Sequence, residues 1–118
     1  MLKVINMNIN WDRSLMLGLV KLYILAILNE NKRHGYEIIK ELEKKTKGCC
    51  NVSVGSIYPA LKELETMKLI KGNDKNVKGR KRIIYEITKK GKNALDEGIK
   101  KWHDLNDATK TLFNNSNK

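Results

Sequence analysis

The chain has 118 residues and carries 24 Lys and Arg against 13 Asp and Glu, a formal net charge of +11. This length fits one domain with a single core. No apolar run approaches the ~20 residues that cross a bilayer, which argues against a membrane protein. The excess of positive charge favours an anionic partner, nucleic acid first, with a solvated basic surface as the alternative.

The amino terminus and the cysteines indicate the cellular compartment in which the protein resides. Residues 1–13 are interpreted as an arm or a short extra helix. Asparagines interrupt this segment, so it lacks the apolar core of a signal peptide, and we expect a cytoplasmic protein. Cys49 and Cys50 are adjacent rather than spaced as a metal or redox pair, and we expect free thiols.

The first predicted helix, residues 14–29, is apolar almost all round. A helix of this kind must be covered on more than one side. One side can face the core of the same chain. The other side predicts a partner subunit, and we assign Leu15 and Leu19 to that contact.

Two further helices are predicted after a polar connector over residues 29–34. The second runs from Gly35 to Lys45, with an inner apolar stripe. The third begins at Ser53, a good N-cap, and again has one apolar face. Ser56 is the alternative cap. It would place Pro59 in the first turn, where proline costs little, and the sequence does not choose between the two.

A hairpin is predicted next, from strands at residues 69–73 and 82–88 around a polar loop, 74–81, with Gly79 as a turn residue. From Lys71 to Arg82 there are six cationic residues and one acid. Such a tip can lie along a nucleic-acid backbone, where Lys and Arg neutralise phosphates. A solvated turn is the alternative, and the order of three helices before the hairpin favours DNA.

The last predicted helix starts after its cap Thr88 and runs to Phe113, followed by a disordered tail over residues 114–118. Apolar residues recur in it at spacings of three and four, which is typical of a seam between helices. The helix could pack back on its own core. We favour a contact between subunits, to which we assign Leu95, Trp102, Leu105 and Leu112.

Three stretches resemble one known family. They are His34-Gly35-Tyr36-Glu37-Ile38, Gly55-Ser56-Ile57-Tyr58-Pro59-Ala60-Leu61 and Gly79-Arg80-Lys81-Arg82. The chain is similar in these stretches to the PadR-like transcriptional regulators, in the short subfamily with a single C-terminal helix. It departs from the family pattern at Lys32 and Arg33, where proline is frequent, and at Ile84, where tyrosine is frequent.

The resemblance implies a mainly α fold with a small β-hairpin (α+β). Residues 14–88 would form a winged helix-turn-helix domain that binds DNA, and residues 89–113 a dimerisation helix. The third helix would be the recognition helix. The residues implied to face DNA are Tyr36 on the second helix, Ser53, Ser56, Tyr58, Pro59 and Lys62 on the recognition helix, and Lys78, Arg80 and Lys81 on the wing. Half-buried packing is the alternative for the two tyrosines.

The function implied is that of a homodimeric regulator, a repressor on a palindromic operator. Trp102 resembles a position where some short members hold a flat apolar ligand between subunits, and dimer packing without a ligand is the alternative. A non-specific basic DNA-binding, chromosome-associated protein is the second hypothesis. A winged helix that binds only protein is the third. His34 and His103 are the only histidines, and no metal or phosphate-loop motif is present, so we expect neither an enzyme nor a cofactor.

Overall fold

The computed structural model describes residues 8–48 and 54–116. Four helices and a three-stranded antiparallel sheet make up this part of the chain, which confirms the α+β prediction. In chain order the elements are α1 (Trp11–Glu30), β1 (Arg33–His34), α2 (Gly35–Lys45), α3 (Val54–Thr66), β2 (Ile70–Val77), β3 (Arg80–Ile87) and α4 (Lys89–Ser116).

Helix α1 begins at Trp11, so the predicted start at residue 14 was wrong. The reason is a cap at Asn10, whose side-chain oxygen accepts a hydrogen bond from the backbone N–H of Arg13 at 3.1 Å. Residues 11–13 of the predicted arm therefore belong to α1. Residues 1–7 of that arm lie outside the described residues.

Helix α2 has the predicted bounds, and its start is fixed by a reciprocal capping box. His34 Nδ1 accepts from the backbone N–H of Glu37 at 3.3 Å. Glu37 Oε1 accepts in return from the backbone N–H of His34 at 3.1 Å. A strand of two residues, β1, ends at this cap, where the sequence predicted only a connector.

Helix α3 begins at Val54, which rules out Ser56 as its cap and places Pro59 inside the helix. The other predicted cap, Ser53, lies outside the described residues, as do Cys49 and Cys50.

The hairpin is longer than predicted, because residues 74–77 pair with residues 80–83 instead of forming a loop. The strands are joined by Lys78 and Gly79 alone, with φ of 51° and 79°. Two positive φ values in a two-residue connection are typical of a type I′ turn, whose twist matches that of the strands. β3 is the central strand, since β1 pairs with its other edge through Arg33–Tyr85 and His34–Ile84.

Helix α4 is held to the base of the hairpin. Thr88 Oγ1 accepts from the backbone N–H of Gly91 at 3.0 Å, which confirms the predicted cap. The helix extends to Ser116, so the prediction of a disordered tail was wrong for residues 114–116, and residues 117 and 118 lie outside the described part.

The core is shared by all four helices and the base of the sheet. Leu95 of α4 belongs to it and is 4% exposed within one chain. This corrects the assignment of Leu95 to a seam between subunits. The core of the same chain covers Leu95. Leu22 of α1 approaches α4 closely, since a Cβ added to Gly98 would lie 2.6 Å from Leu22 Cδ1.

Candidate nucleic-acid interface

Helix α3 has an apolar inner face and an exposed outer face. Ile57, Leu61 and Leu64 are almost fully buried. Of the residues expected to face DNA, Tyr58, Pro59 and Lys62 are exposed and Ser56 is half-buried. The outer face of α3 is therefore accessible at these four positions.

Tyr36 and Tyr58 are both exposed, at 55% and 44%. Tyr36 stacks on His34 with ring centroids 6.5 Å apart, and Lys40 Nζ lies 5.2 Å from the Tyr36 centroid. That distance permits a cation–π interaction.

The ring of Tyr58 lies against the start of α2. A Cβ added to Gly35 would lie 2.9 Å from Tyr58 Cε1 and 3.0 Å from its hydroxyl oxygen. Tyr85 lies beneath it in β3 and is buried. Burial above all, with the nearby Glu65 and Tyr58, raises the pKa of Tyr85, so its hydroxyl stays protonated at neutral pH.

The wing, defined as β2, β3 and the turn between them, carries the predicted cations at its tip. Lys78, Arg80 and Lys81 are all exposed. Within residues 8–48 and 54–116 none of the three forms an ion pair, and the ion pair of the wing, Lys71–Glu86 at 3.6 Å, lies near its base. These three side chains are therefore available to an external anion.

A cavity of about 190 Å³ lies where the wing meets α2 and α3. Its lining includes two residues that the sequence analysis did not select, His34 and Arg82, together with Tyr36 and Tyr58. Arg82 Nη1 lies 3.4 Å from His34 Nε2. Both residues lie in the stretches that resemble the family, but the pairing of His34 with Arg82 depends on the sheet.

Apolar residues of α1 and α4 are exposed on the surface of the described chain. We call this surface the apolar seam and define it by Trp11, Leu15, Gly18, Trp102, Leu105 and Leu112. Leu15 is 62% exposed and Leu112 is 64% exposed. Leu19, also assigned to this contact, is half-buried.

Trp102 lines a second cavity beside the apolar seam. It is 40% exposed and lines a cleft of about 250 Å³ with side chains of α1. The lining is almost wholly apolar: Leu22, Tyr23, Ala26, Leu95 and Ile99.

Two searches of the described residues concern other classes of site. No three His, Cys, Asp or Glu side chains come together there in a way that could hold a metal ion. None of the described helices is long and apolar enough to span a membrane.

Comparison with known proteins gives a consistent result. The family model "Transcriptional regulator PadR-like family" matches residues 24–97. The transcriptional regulator Rv3488 of Mycobacterium tuberculosis is 34% identical over 73% of this chain and 78% of its own length. The transcriptional regulator YqjI of Escherichia coli is 39% identical over 68% of this chain, which corresponds to 37% of that protein.

Solved structures agree. A PadR-like transcriptional regulator from Bacillus cereus superposes with a TM-score of 0.71 at 34% identity, over 85% of this chain and 96% of that one. A transcriptional regulator from Clostridium thermocellum superposes with a TM-score of 0.79 at 26% identity, over 83% and 96% of the two chains.

Proposed function

The chain belongs to the PadR-like family of transcriptional regulators, and from this we propose that it is a homodimeric repressor on a palindromic operator. It is a winged-helix regulator and not an enzyme. The observation that carries the proposal is the junction of an exposed recognition helix with a wing whose tip cations have no ion pairs in the described chain.

The proposed DNA complex uses two parts of this surface. α3 enters the major groove, where base edges can be read by Ser56, Tyr58 and Lys62. The wing tip lies along the flanking backbone, where Lys78, Arg80 and Lys81 neutralise phosphates. A regulator with this task acts in the cytoplasm, beside the bacterial chromosome.

The proposed dimer forms through the apolar seam. Large apolar side chains at this exposure are costly to leave in water, and a second copy offers a matching surface through two-fold symmetry. Gly18 supports this proposal, because glycine disfavours a helix and nothing lies within 4 Å of its added Cβ in one chain. Two-fold symmetry would place the recognition helices about 34 Å apart, one turn of DNA.

The cleft beside Trp102 is the proposed site for a flat apolar effector that releases the repressor. An apolar lining with one large aromatic face suits such a ligand. Packing of the partner subunit onto Trp102, with no ligand, is the alternative use of the same surface.

The test of function is selection of binding sites from random duplex DNA. We expect a palindromic consensus that binds at least about 10³-fold more tightly than random duplex at the same salt concentration. Equal affinity for both would support a non-specific chromosomal protein instead. If the protein binds no duplex at all, the remaining hypothesis is a winged helix that binds only protein.

The effector is tested separately by tryptophan fluorescence titrated with planar cationic dyes. Trp11→Phe removes the other tryptophan and isolates the signal of Trp102. We expect saturable quenching in Trp11→Phe and its loss in Trp102→Phe. Quenching that is equal in both variants would place the dye elsewhere.

A further inference from the structure

We propose that the cavity between α2, α3 and the wing is a phosphate pocket in which Arg82 binds one phosphodiester of the DNA backbone. The proposal rests on the DNA-binding function above and assigns two residues, Arg82 and His34, that the predicted interface lacked. The walls of the cavity come from three elements, with Tyr36 from α2, Tyr58 from α3 and Arg82 from β3.

The first argument is the chemistry around Arg82. Its guanidinium carries five N–H donors and a permanent positive charge. Arg82 is half-buried, and in the described part of the chain no carboxylate forms an ion pair with it. A guanidinium of this kind is stabilised by an oxyanion, for which its planar fork is well suited.

The second argument is the state of His34. Its Nδ1 accepts from the backbone N–H of Glu37, so the proton of the neutral ring lies on Nε2. A protonated Nε2 cannot accept from Arg82 Nη1, although the two nitrogens are only 3.4 Å apart. Two N–H groups therefore face each other, and His34 leaves the donors of Arg82 unsatisfied.

Glu37, the acid beside His34, forms no ion pair with Arg82 either. Glu37 Oε1 already accepts from the backbone N–H of His34 and lies 3.2 Å from His34 Nε2. The carboxylate is therefore engaged on the histidine. Within residues 8–48 and 54–116 no carboxylate completes Arg82, and we infer that its acceptor is an external anion.

The third argument is the position of the cavity within the interface. The hydroxyls of Tyr36 and Tyr58 can donate to a phosphate oxygen. The positive end of the α2 dipole adds to the potential at the same place. On either side lie the exposed face of α3 and the cationic wing. A backbone phosphate therefore fits the cavity better than a base or a protein carboxylate, and it would fix the angle between α3 and the wing on DNA.

The experiment compares Arg82→Gln with Arg13→Gln, which makes the same change of charge at an exposed residue on α1. Binding to the selected operator is measured by fluorescence anisotropy at several salt concentrations. We expect Arg82→Gln to bind about tenfold more weakly or worse. We also expect its salt slope to fall by about one unit per pocket, with Arg13→Gln unchanged. Arg82→Lys keeps the charge, so it should keep the slope while losing affinity.

A scan of the operator with single neutral methylphosphonates identifies the ligand. In wild type, neutralising one position in each half-site should weaken binding, and in Arg82→Gln the same position should have no further effect. This coupling separates a phosphate contact from a general loss of structure. If the glutamine variant folds poorly, the same scan with Arg82→Lys should show a smaller effect at that position than wild type, because the planar fork is lost while the charge is kept.

Two results would overturn the inference. If wild type binds DNA and Arg82→Gln matches Arg13→Gln in affinity and slope, the pocket does not hold a DNA phosphate while the proposed function stands. If methylphosphonates weaken both proteins equally at every position, the conclusion is the same. If wild type binds no duplex, the proposed function and this inference fail together.

Discussion

Tyr58 rests on Gly35, so the recognition helix and the start of α2 touch at a position where any larger residue would displace the Tyr58 ring. The hydroxyl of Tyr58 lies 3.0 Å from the position of an added Cβ, and the ring carbon Cε1 lies 2.9 Å from it. Because the far end of the side chain is the part in contact, the ring can move at little cost to the fold.

Gly35→Ala should therefore weaken DNA binding more than stability. We expect about fivefold lower operator affinity, equivalent to the loss of one hydrogen bond of about 1 kcal/mol. We expect a smaller change in the free energy of unfolding, measured in urea. The double variant with Tyr58→Ala is the control, since Gly35→Ala should then have no further effect. Additive losses would show that Gly35 acts without Tyr58.

The wing tip is tested by Arg80→Ala and Lys81→Ala. Each should lower the slope of log K against log salt by about one unit, with a similar loss on selected and random duplexes, since phosphate contacts carry no sequence information. Lys110→Ala, which removes an exposed lysine from α4, is the control. Slopes equal to wild type in both wing variants would mean that the wing does not touch the backbone.

The recognition helix is tested by Ser56→Ala and Lys62→Ala. Ser56→Ala should relax preference at one operator position, and Lys62→Ala should lower affinity. The free energy of unfolding should stay within about 0.5 kcal/mol of wild type for the exposed Lys62. Binding-site selection repeated with each variant measures both effects. Wild-type behaviour in both would mean that α3 does not face the operator.

Gly18→Ala tests the proposed dimer by sedimentation velocity across concentrations. In a free chain the substitution should stabilise α1 by up to about 1 kcal/mol, because alanine is the better helix former and space is open. If a partner helix packs on Gly18, the methyl group should weaken the dimer about tenfold through overpacking. Asn29→Ala, at an exposed site on α1, is the control. If Gly18→Ala leaves the dimer unchanged, the face of α1 around Gly18 lies in solvent. If the wild-type protein is a monomer at micromolar concentration, the proposed dimer is refuted.

Gly91→Ala should be strongly destabilising. Its added Cβ would lie 2.0 Å from the backbone oxygen of Leu69, so backbone must move. We expect a loss of about 3 kcal/mol in the free energy of unfolding. Gly98→Ala meets only the flexible end of Leu22, at 2.6 Å, and should cost less. Equal losses in urea unfolding would contradict this ranking.

The sequence predicted best those elements whose pattern lies within the element itself, such as an apolar stripe or a helix cap. α2 combines one apolar stripe with a cap at its start, and its bounds are as predicted. The hairpin ends were wrong because residues 74–77 are mostly polar and because Lys78-Gly79 is not the Asn-Gly or Asp-Gly pair that marks a type I′ turn. β1 has only two residues, and its pairing with β3 is a tertiary contact without a pattern of its own.

The sequence likewise predicted some residues of the candidate site and missed others. The exposed positions of α3 and the wing follow from periodicity and charge. Leu95 was misassigned because a heptad spacing does not distinguish a partner's surface from the core of the same chain. Arg82 and His34 are 48 residues apart in sequence, so only the sheet brings them together.

The joint at Thr88 has a mechanical consequence. One residue, Thr88, separates β3 from α4. Its backbone N–H donates to Leu69 O at 3.0 Å, and its hydroxyl proton is shared between Lys68 O at 2.8 Å and Leu69 O at 3.0 Å. Lys90 Nζ donates to Met67 O at 3.0 Å on the same side. We expect these bonds to make the helix and the wing tilt together. An eight-residue strand is about 26 Å long, so a tilt of about 10° at the joint displaces the wing tip by about 4–5 Å, more than one 3.4 Å base step.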